Sequence, residues 1–527
     1  MSRRLEAIFV IAVLVFLFLS LFLGAAQMGL AYDELFHIPA GATFVDSGVR
    51  RSTTEHTPLG HWLTGLALTA IEPWYSRSDY LRADFSGAAF DFGYRFFRDN
   101  ESVHGTLLAV ARLPLQLMAV LGAAYSWLLA RSLWGRTAGS VSLLLVATCP
   151  LYVGWNRYVY LDGLLAATMI AALAHLVWFL RARKPLQLAL LGLTLAASAC
   201  AKYSGFVLIP LAALVVCLPS AWFGGASRPL PVRLREALAV VLLAVLISWL
   251  IFGCPSDPLF YFRGYERIYS SAISGYRFYL LGAFERSFWY FYPLLFGVKS
   301  TLATLAGAAT AGVLLITLRK QVALRERAPV ALLLGAALSF LLLTSSKSLP
   351  IGARYLTPMY PPIYVCMGWV AARAVARAQP WPLVLAIGLL LHHVSSSIRL
   401  FPDEMAYFNE LVGGPPGGIY VSNDASLDAG QNLPRLARYL KRRGNPVVKL
   451  RYQGTDVPER YDIRSASLTQ AEWDGQLEPG LYAVSSYALV YGQLEARERP
   501  GHLDWLTKLR PKAVIGHSIY VYEIPPR

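Results

Sequence analysis

Residues 8–28 read IFVIAVLVFLFLSLFLGAAQM, an uncharged run directly behind Arg3, Arg4 and Glu6. As a helix rising about 1.5 Å per residue, such a run covers the roughly 30 Å of a bilayer's hydrocarbon core. It is longer than the apolar core of a secretory signal, and no small-residue cleavage pattern precedes Tyr32. It therefore reads as a retained anchor helix.

The same pattern recurs along the chain. Apolar blocks follow at 107–130, 138–153, 161–180, 186–201, 204–222, 237–254, 300–318, 329–346, 355–372 and 381–398. The chain is 56% hydrophobic and only 15% charged, with a mean hydropathy of +0.45, so most of it is not solvated by water. The formal net charge of +16 could suggest nucleic acid. The basic residues instead sit in short turns between apolar blocks, which excludes a nucleic-acid face.

Those turns decide the orientation. Arg3/Arg4, Arg131/Arg136, Arg181/Arg183/Lys184, Arg228/Arg233/Arg235, Arg319/Lys320/Arg325/Arg327 and Arg373/Arg377 occupy every second connection. The alternate connections are longer and less basic. By the positive-inside rule the N-terminus is cytoplasmic, and about eleven spans leave residues 401–527 outside. The expected fold is thus a polytopic α-helical membrane module over 1–400, with long outer loops at 29–106 and 255–299. A small soluble α/β domain follows over 401–527.

The aromatic and charged residues of both loops suit amphipathic helices in the headgroup layer. After the turn-rich Gly413-Gly414-Pro415-Pro416-Gly417-Gly418, strands are expected at Gly418–Val421, Val447–Tyr452, Leu481–Val484 and Ala513–Glu523, with a basic helix at Leu433–Arg443. Cys149, Cys200, Cys217, Cys254 and Cys366 lie in or beside apolar blocks without CxxC spacing and read as free structural thiols.

This topology brings ionisable residues to one side: Asp33 and Glu34 after the first block, Asp162 entering the fourth, Lys202 leaving the fifth, and Lys347, Arg354 and Tyr355 before the tenth. Charges at a bilayer boundary are costly unless solvated or paired, which makes them functional candidates. Independent helix-capping residues would fall on both sides. A carboxylate can act as general base toward a hydroxyl or amine, while Lys and Arg can neutralise a departing phosphate. A proton-coupled transporter would use the same residue types, placed nearer the bilayer midplane on broken helices.

Four stretches carry a family resemblance. Ala31-Tyr32-Asp33-Glu34-Leu35-Phe36-His37 resembles the first-loop Asp-Glu motif of the polyprenyl-phosphate-dependent glycosyltransferases of the GT-C class, which include protein O-mannosyltransferases and the aminoarabinose transferases of lipid A. Glu55-His56-Thr57-Pro58-Leu59-Gly60 is similar to their Glu-His-Pro-Pro-Leu segment, with Thr57 where proline is usual. Ala353-Arg354-Tyr355-Leu356-Thr357-Pro358 resembles their Arg-Tyr-x-x-Pro element. Tyr407-Phe408-Asn409-Glu410-Leu411 through Gly430-Gln431 is similar to a segment of bacterial members, which favours undecaprenyl over dolichyl phosphate as carrier.

The resemblance implies an inverting glycosyltransferase in the bacterial inner membrane, moving a sugar from a polyprenyl-phosphate donor to a protein, lipid or glycan acceptor outside. Asp33, with Glu34 beside it and Asp162 as second acid, would be catalytic. Lys202, Arg354 and Tyr355 would bind the donor phosphate, and Glu55 and His56 would support the site. Some family members bind a divalent ion near the donor. His37, Glu55, His56 and His61 lie close in sequence but form no HExxH-type ligand pattern, so no metal or other cofactor is assigned. The alternative is a transporter or flippase of a lipid-linked intermediate.

Overall fold

The computed structural model describes residues 2–48, 56–82, 87–273, 277–346, 351–377, 380–423, 426–498 and 505–526. Each apolar block lies on helix, and the chain is a membrane protein. Among the described residues six helices are long and apolar enough to span: Arg3–Ala25, Glu101–Ala147, Leu161–Ala182, Leu230–Ile251, Leu324–Ser346 and Pro380–Ile398. A seventh span is the pair Phe291–Lys299 and Leu302–Thr317, if counted as one despite its 113° bend.

This is fewer than the eleven blocks, for physical reasons. Residues 104–147 hold two blocks, and the chain reverses between them at Trp134 and Gly135, where Gly135 adopts φ +85°. Such a left-handed turn suits a residue without a side chain. The reversal brings Ser142 Oγ to 3.4 Å from the Ser126 carbonyl. The helices Pro185–Ala201 and Tyr203–Val216 are apolar but short. The helix Tyr360–Ala376 begins only after the 3₁₀ turn Ala353–Met359.

The helix Leu161–Ala182 is the bundle's axis, with 94% of its apolar window buried. Its two ends differ in chemistry. At the Arg181 end the basic turns meet. Arg181 donates to the carbonyls of Phe223 and Ser132. Glu6 takes both Arg131 and Arg136. Glu236 pairs with Arg183 and Arg228, and Glu326 pairs with Arg373. The opposite end carries Asp162, about 28 Å away at 1.5 Å per residue.

Both long loops hold helices of amphipathic composition, Gly87–Asp99 and Phe260–Ile273. The second loop also forms a hairpin of β1 (Phe278–Leu280) and β2 (Ala283–Glu285). The C-terminal residues build a mixed five-stranded sheet from β3 (Val448–Arg451), β4 (Ser465–Ala466), β5 (Gly480–Ser485), β6 (Ala513–Ile515) and β7 (Ile519–Ile524), in the order β4-β3-β5-β7-β6.

β3 runs parallel to β4 and β5, while β7 is antiparallel to β5 and β6. The basic helix spans Leu433–Lys441, and its Leu433, Leu436 and Leu440 pack on Val448, Ala483 and Val521 of the sheet. Two sequence expectations are corrected. Ala513–Glu523 is a hairpin, because Gly516 at φ +57° and His517 at φ +58° turn the chain between two strands. Gly418–Val421 is no strand: the short helix Gly414–Gly418, with proline in its first turn, ends at Gly418, residues 419–421 form a turn, and among the described residues a single bridge joins Ser422 to Leu280.

Candidate active site

Four separate segments deliver the charged residues. Asp33 stands at the N-cap of the helix Glu34–Ser47 but makes no side-chain cap bond, which leaves its carboxylate for other partners. Asp162 lies in the first turn of Leu161–Ala182, where the helix dipole favours a negative charge. Lys202 ends Pro185–Ala201 in extended conformation, and Arg354 belongs to the 3₁₀ turn Ala353–Met359.

These four side chains meet. The Arg354 guanidinium donates to the Asp33 carboxylate, and its Nε lies 3.8 Å from Asp162 Oδ2. Lys202 donates to Asp162 Oδ1, and its ammonium sits 3.4 Å from the centre of the Tyr355 ring. Tyr160 covers Arg354 at 4.7 Å. Two carboxylates and two cations thus form one alternating, charge-balanced chain. Arg354 Nε is buried and has no hydrogen-bond partner among the described residues, a costly arrangement unless an acceptor oxygen reaches it. Asp33 is the most accessible of the four, with 24% of its side chain exposed against 4% for Asp162.

Burial alone would raise the Asp33 carboxyl. The Arg354 guanidinium, with His37 and Lys202, outweighs it and holds Asp33 below the ordinary carboxylate value. One turn on, His37 is pushed down to about 4 by burial, against the pull of Asp33, so its imidazole is neutral near pH 7.

Glu34 has another partner set than the one expected for a residue acting beside Asp33. Its side chain is wholly buried. Arg112 donates Nε to Oε1 at 2.8 Å and Nη2 to Oε2 at 2.6 Å. The amides of Ala31 and Val159 donate to the same carboxylate, each at 2.9 Å. Arg112 further donates to the carbonyls of Ala25, Met28 and Gly29. A carboxylate so saturated orients a loop and has no lone pair left for an acceptor. Arg112 is not among the residues expected from sequence, although a lone arginine inside the apolar block 107–130 is itself a signal.

His56 lies beside the site, its ring 4.8 Å from that of His37, and His37 Nδ1 meets His61 Nε2 at 3.0 Å. Among the described residues no group of three or more His, Cys, Asp or Glu is arranged to hold a metal. Glu55 and Lys347 lie outside the described residues.

Residues 101–252, which contain Arg112, Asp162 and Lys202, match the family model of the dolichyl-phosphate-mannose-protein mannosyltransferases. No curated protein matches the chain.

Among solved structures, ArnT from Cupriavidus metallidurans bound to undecaprenyl phosphate aligns at 14% identity and a TM-score of 0.47, covering 99% of this chain and 98% of that one. The oligosaccharyltransferase of Archaeoglobus fulgidus in its apo form aligns at 10% identity and a TM-score of 0.46, covering 84% of this chain and 58% of that one. At these values no residue of either protein is carried over to this chain.

Proposed function

We propose that the chain is an inverting glycosyltransferase. It moves a sugar from a polyprenyl-phosphate donor, undecaprenyl phosphate by the bacterial character of residues 407–431, to an acceptor on the outer face of the inner membrane. The observation that carries this reading is the Asp33–Arg354–Asp162–Lys202 chain, at the end of the bundle opposite the basic turns. The positive-inside rule makes the basic end cytoplasmic, so the cluster faces outward. A cytosolic nucleotide sugar would not reach it, whereas a lipid phosphate at headgroup depth would.

The chemistry follows from the pairing. A donor phosphodiester carries one negative charge and competes with the carboxylates for Arg354 and Lys202, and the free Arg354 Nε supplies a further donor. As the bond from the anomeric carbon to the phosphate oxygen breaks, its electron pair leaves with the phosphate. The growing charge falls on Arg354 and Lys202. The acceptor oxygen attacks the opposite face of the anomeric carbon, and its proton passes to Asp33, the most accessible carboxylate of the cluster. An acceptor that is itself a phosphate needs no such proton transfer.

The test is transfer by the purified protein. With a polyprenyl-phosphate sugar and a panel of hydroxyl, amine and phosphate acceptors, a new glycosidic bond should form, and Asp33→Asn should abolish it in a folded protein. Full activity of that variant overturns the assignment of the base. Sided flux of the lipid without a new bond overturns the transferase reading in favour of a flippase.

A further inference from the structure

The backbone between the first helix and Asp33 is held from the far end of the chain. The amide of Gly29 donates to the Gln431 carbonyl at 2.9 Å, and that of Tyr32 to the Ala429 carbonyl at 2.8 Å. Between them, the Leu30 amide donates to Asp456 Oδ2 at 2.9 Å, across 426 positions of sequence. The Thr455 hydroxyl donates to the Tyr32 carbonyl at 3.3 Å. With the Ala31 amide on Glu34, every amide from Gly29 to Tyr32 has a defined acceptor.

Asp456 is fully buried as a side chain and is itself fixed. Tyr461 Oη donates to its Oδ2 at 2.5 Å, the Val457 amide to its Oδ1 at 3.0 Å, and Arg460 pairs with Oδ1. The approach is close enough to require glycine. A Cβ on Gly29 would stand 2.8 Å from Asp456 Oδ2 and 2.9 Å from Tyr461 Oη.

Resting on the function proposed above, we infer that the 429–461 segment is a clamp that sets the position of Asp33, with Asp456 as its positioning residue. Asp33 follows Tyr32 directly and precedes Glu34, so its peptide is pinned on one side by Ala429 and Thr455 and on the other by Arg112. A base held this way meets the acceptor proton without a search, and a displacement of about 1 Å costs up to a hundredfold in rate. Among the described residues the clamp makes no hydrogen bond or ion pair with Lys202 or Arg354, so it reaches the donor site only through the Asp33–Arg354 pair.

The experiment compares the full-length protein with its Asp456→Ala and Asp456→Asn variants, using a polyprenyl-phosphate sugar as donor. Deuterium uptake over residues 25–36 and the melting temperature are read in parallel. Asp456→Ala should lower kcat by about tenfold or more while donor KM stays within about twofold, and should speed exchange at Leu30 and Tyr32. Asp456→Asn keeps an acceptor oxygen for Leu30 but turns an NH2 toward the Val457 amide and Arg460, both donors, so it should recover kcat only in part.

Should Asp456→Ala not fold, Gly29→Ala applies the same displacement from the loop side with the same expected readings. Unchanged exchange in the displaced variant overturns the clamp, whatever the wild type does with sugar. Faster exchange with unchanged kcat overturns its catalytic role. A wild-type protein that transfers nothing overturns the transferase reading, and the exchange result then judges the clamp on its own.

Discussion

Asp33 and Glu34 are neighbours in sequence and carry the same group, yet they live in opposite surroundings. Glu34 is sealed with Arg112, and four hydrogen bonds fill its two oxygens. Asp33 is part-exposed and bound to one arginine, whose Nε still lacks a hydrogen-bond partner. On the proposed function, the difference separates the ion pair that builds the site from the one that works in it. A saturated pair has nothing to exchange with a substrate. An under-satisfied pair at the edge of water can trade a carboxylate for a phosphate at little net cost.

The comparison breaks most sharply on Asp33→Asn. The variant should lose about 10²–10⁴ in kcat, the range expected for a general base, while the melting temperature falls only by the loss of the part-exposed Arg354 ion pair. Arg112→Met should do the reverse. It strands the Glu34 carboxylate in the interior at about 3–5 kcal/mol, so thermal melting in detergent should fall steeply, and activity should track the folded fraction. Selective loss of kcat in a fully stable Arg112→Met protein would erase the distinction between the two pairs.

Arg354→Gln sharpens it through pH. In the wild type Asp33 titrates below its ordinary value, so the base is ionised through neutral pH. The stability from its ion pair is present above the unfolded carboxylate pKa and is lost as pH falls through the lower folded one. Without Arg354, burial dominates and Asp33 rises, so the acid limb of the kcat/KM profile should move to higher pH. An unmoved limb would mean that Asp33 is not the titrating base. The smallest effect is expected from Lys202→Arg. Charge is kept, but the compact ammonium over the Tyr355 ring is replaced by a planar fork, and donor KM should rise about threefold with kcat nearly constant.

The helical architecture was legible because each block's apolar composition and length are one-dimensional signals. Asp33, Asp162, Lys202 and Arg354 were legible together because the alternation of basic turns assigns each loop to a side, and the structure joins all four. Their pairing with one another was not legible, since the sequence gives a side but no distances. Glu34 could not be told from Asp33, because its partner Arg112 is 78 residues away. The hold on Gly29 and Tyr32 left no trace at all: backbone carbonyls of Ala429 and Gln431 make it, and any residue type supplies a carbonyl.

The bond from the Leu30 amide to Asp456, across 426 residues, also bears on the protein's biosynthesis. The loop bearing Asp33 leaves the ribosome near the start, and its partner Asp456 follows about 20–85 s later at 5–20 residues per second. On the proposed topology and function, the membrane holds during that interval a chain whose proposed base has crossed but is not yet aimed. If the clamp acts as proposed, the 429–461 segment is the arming step, and a chain released before it would be inert.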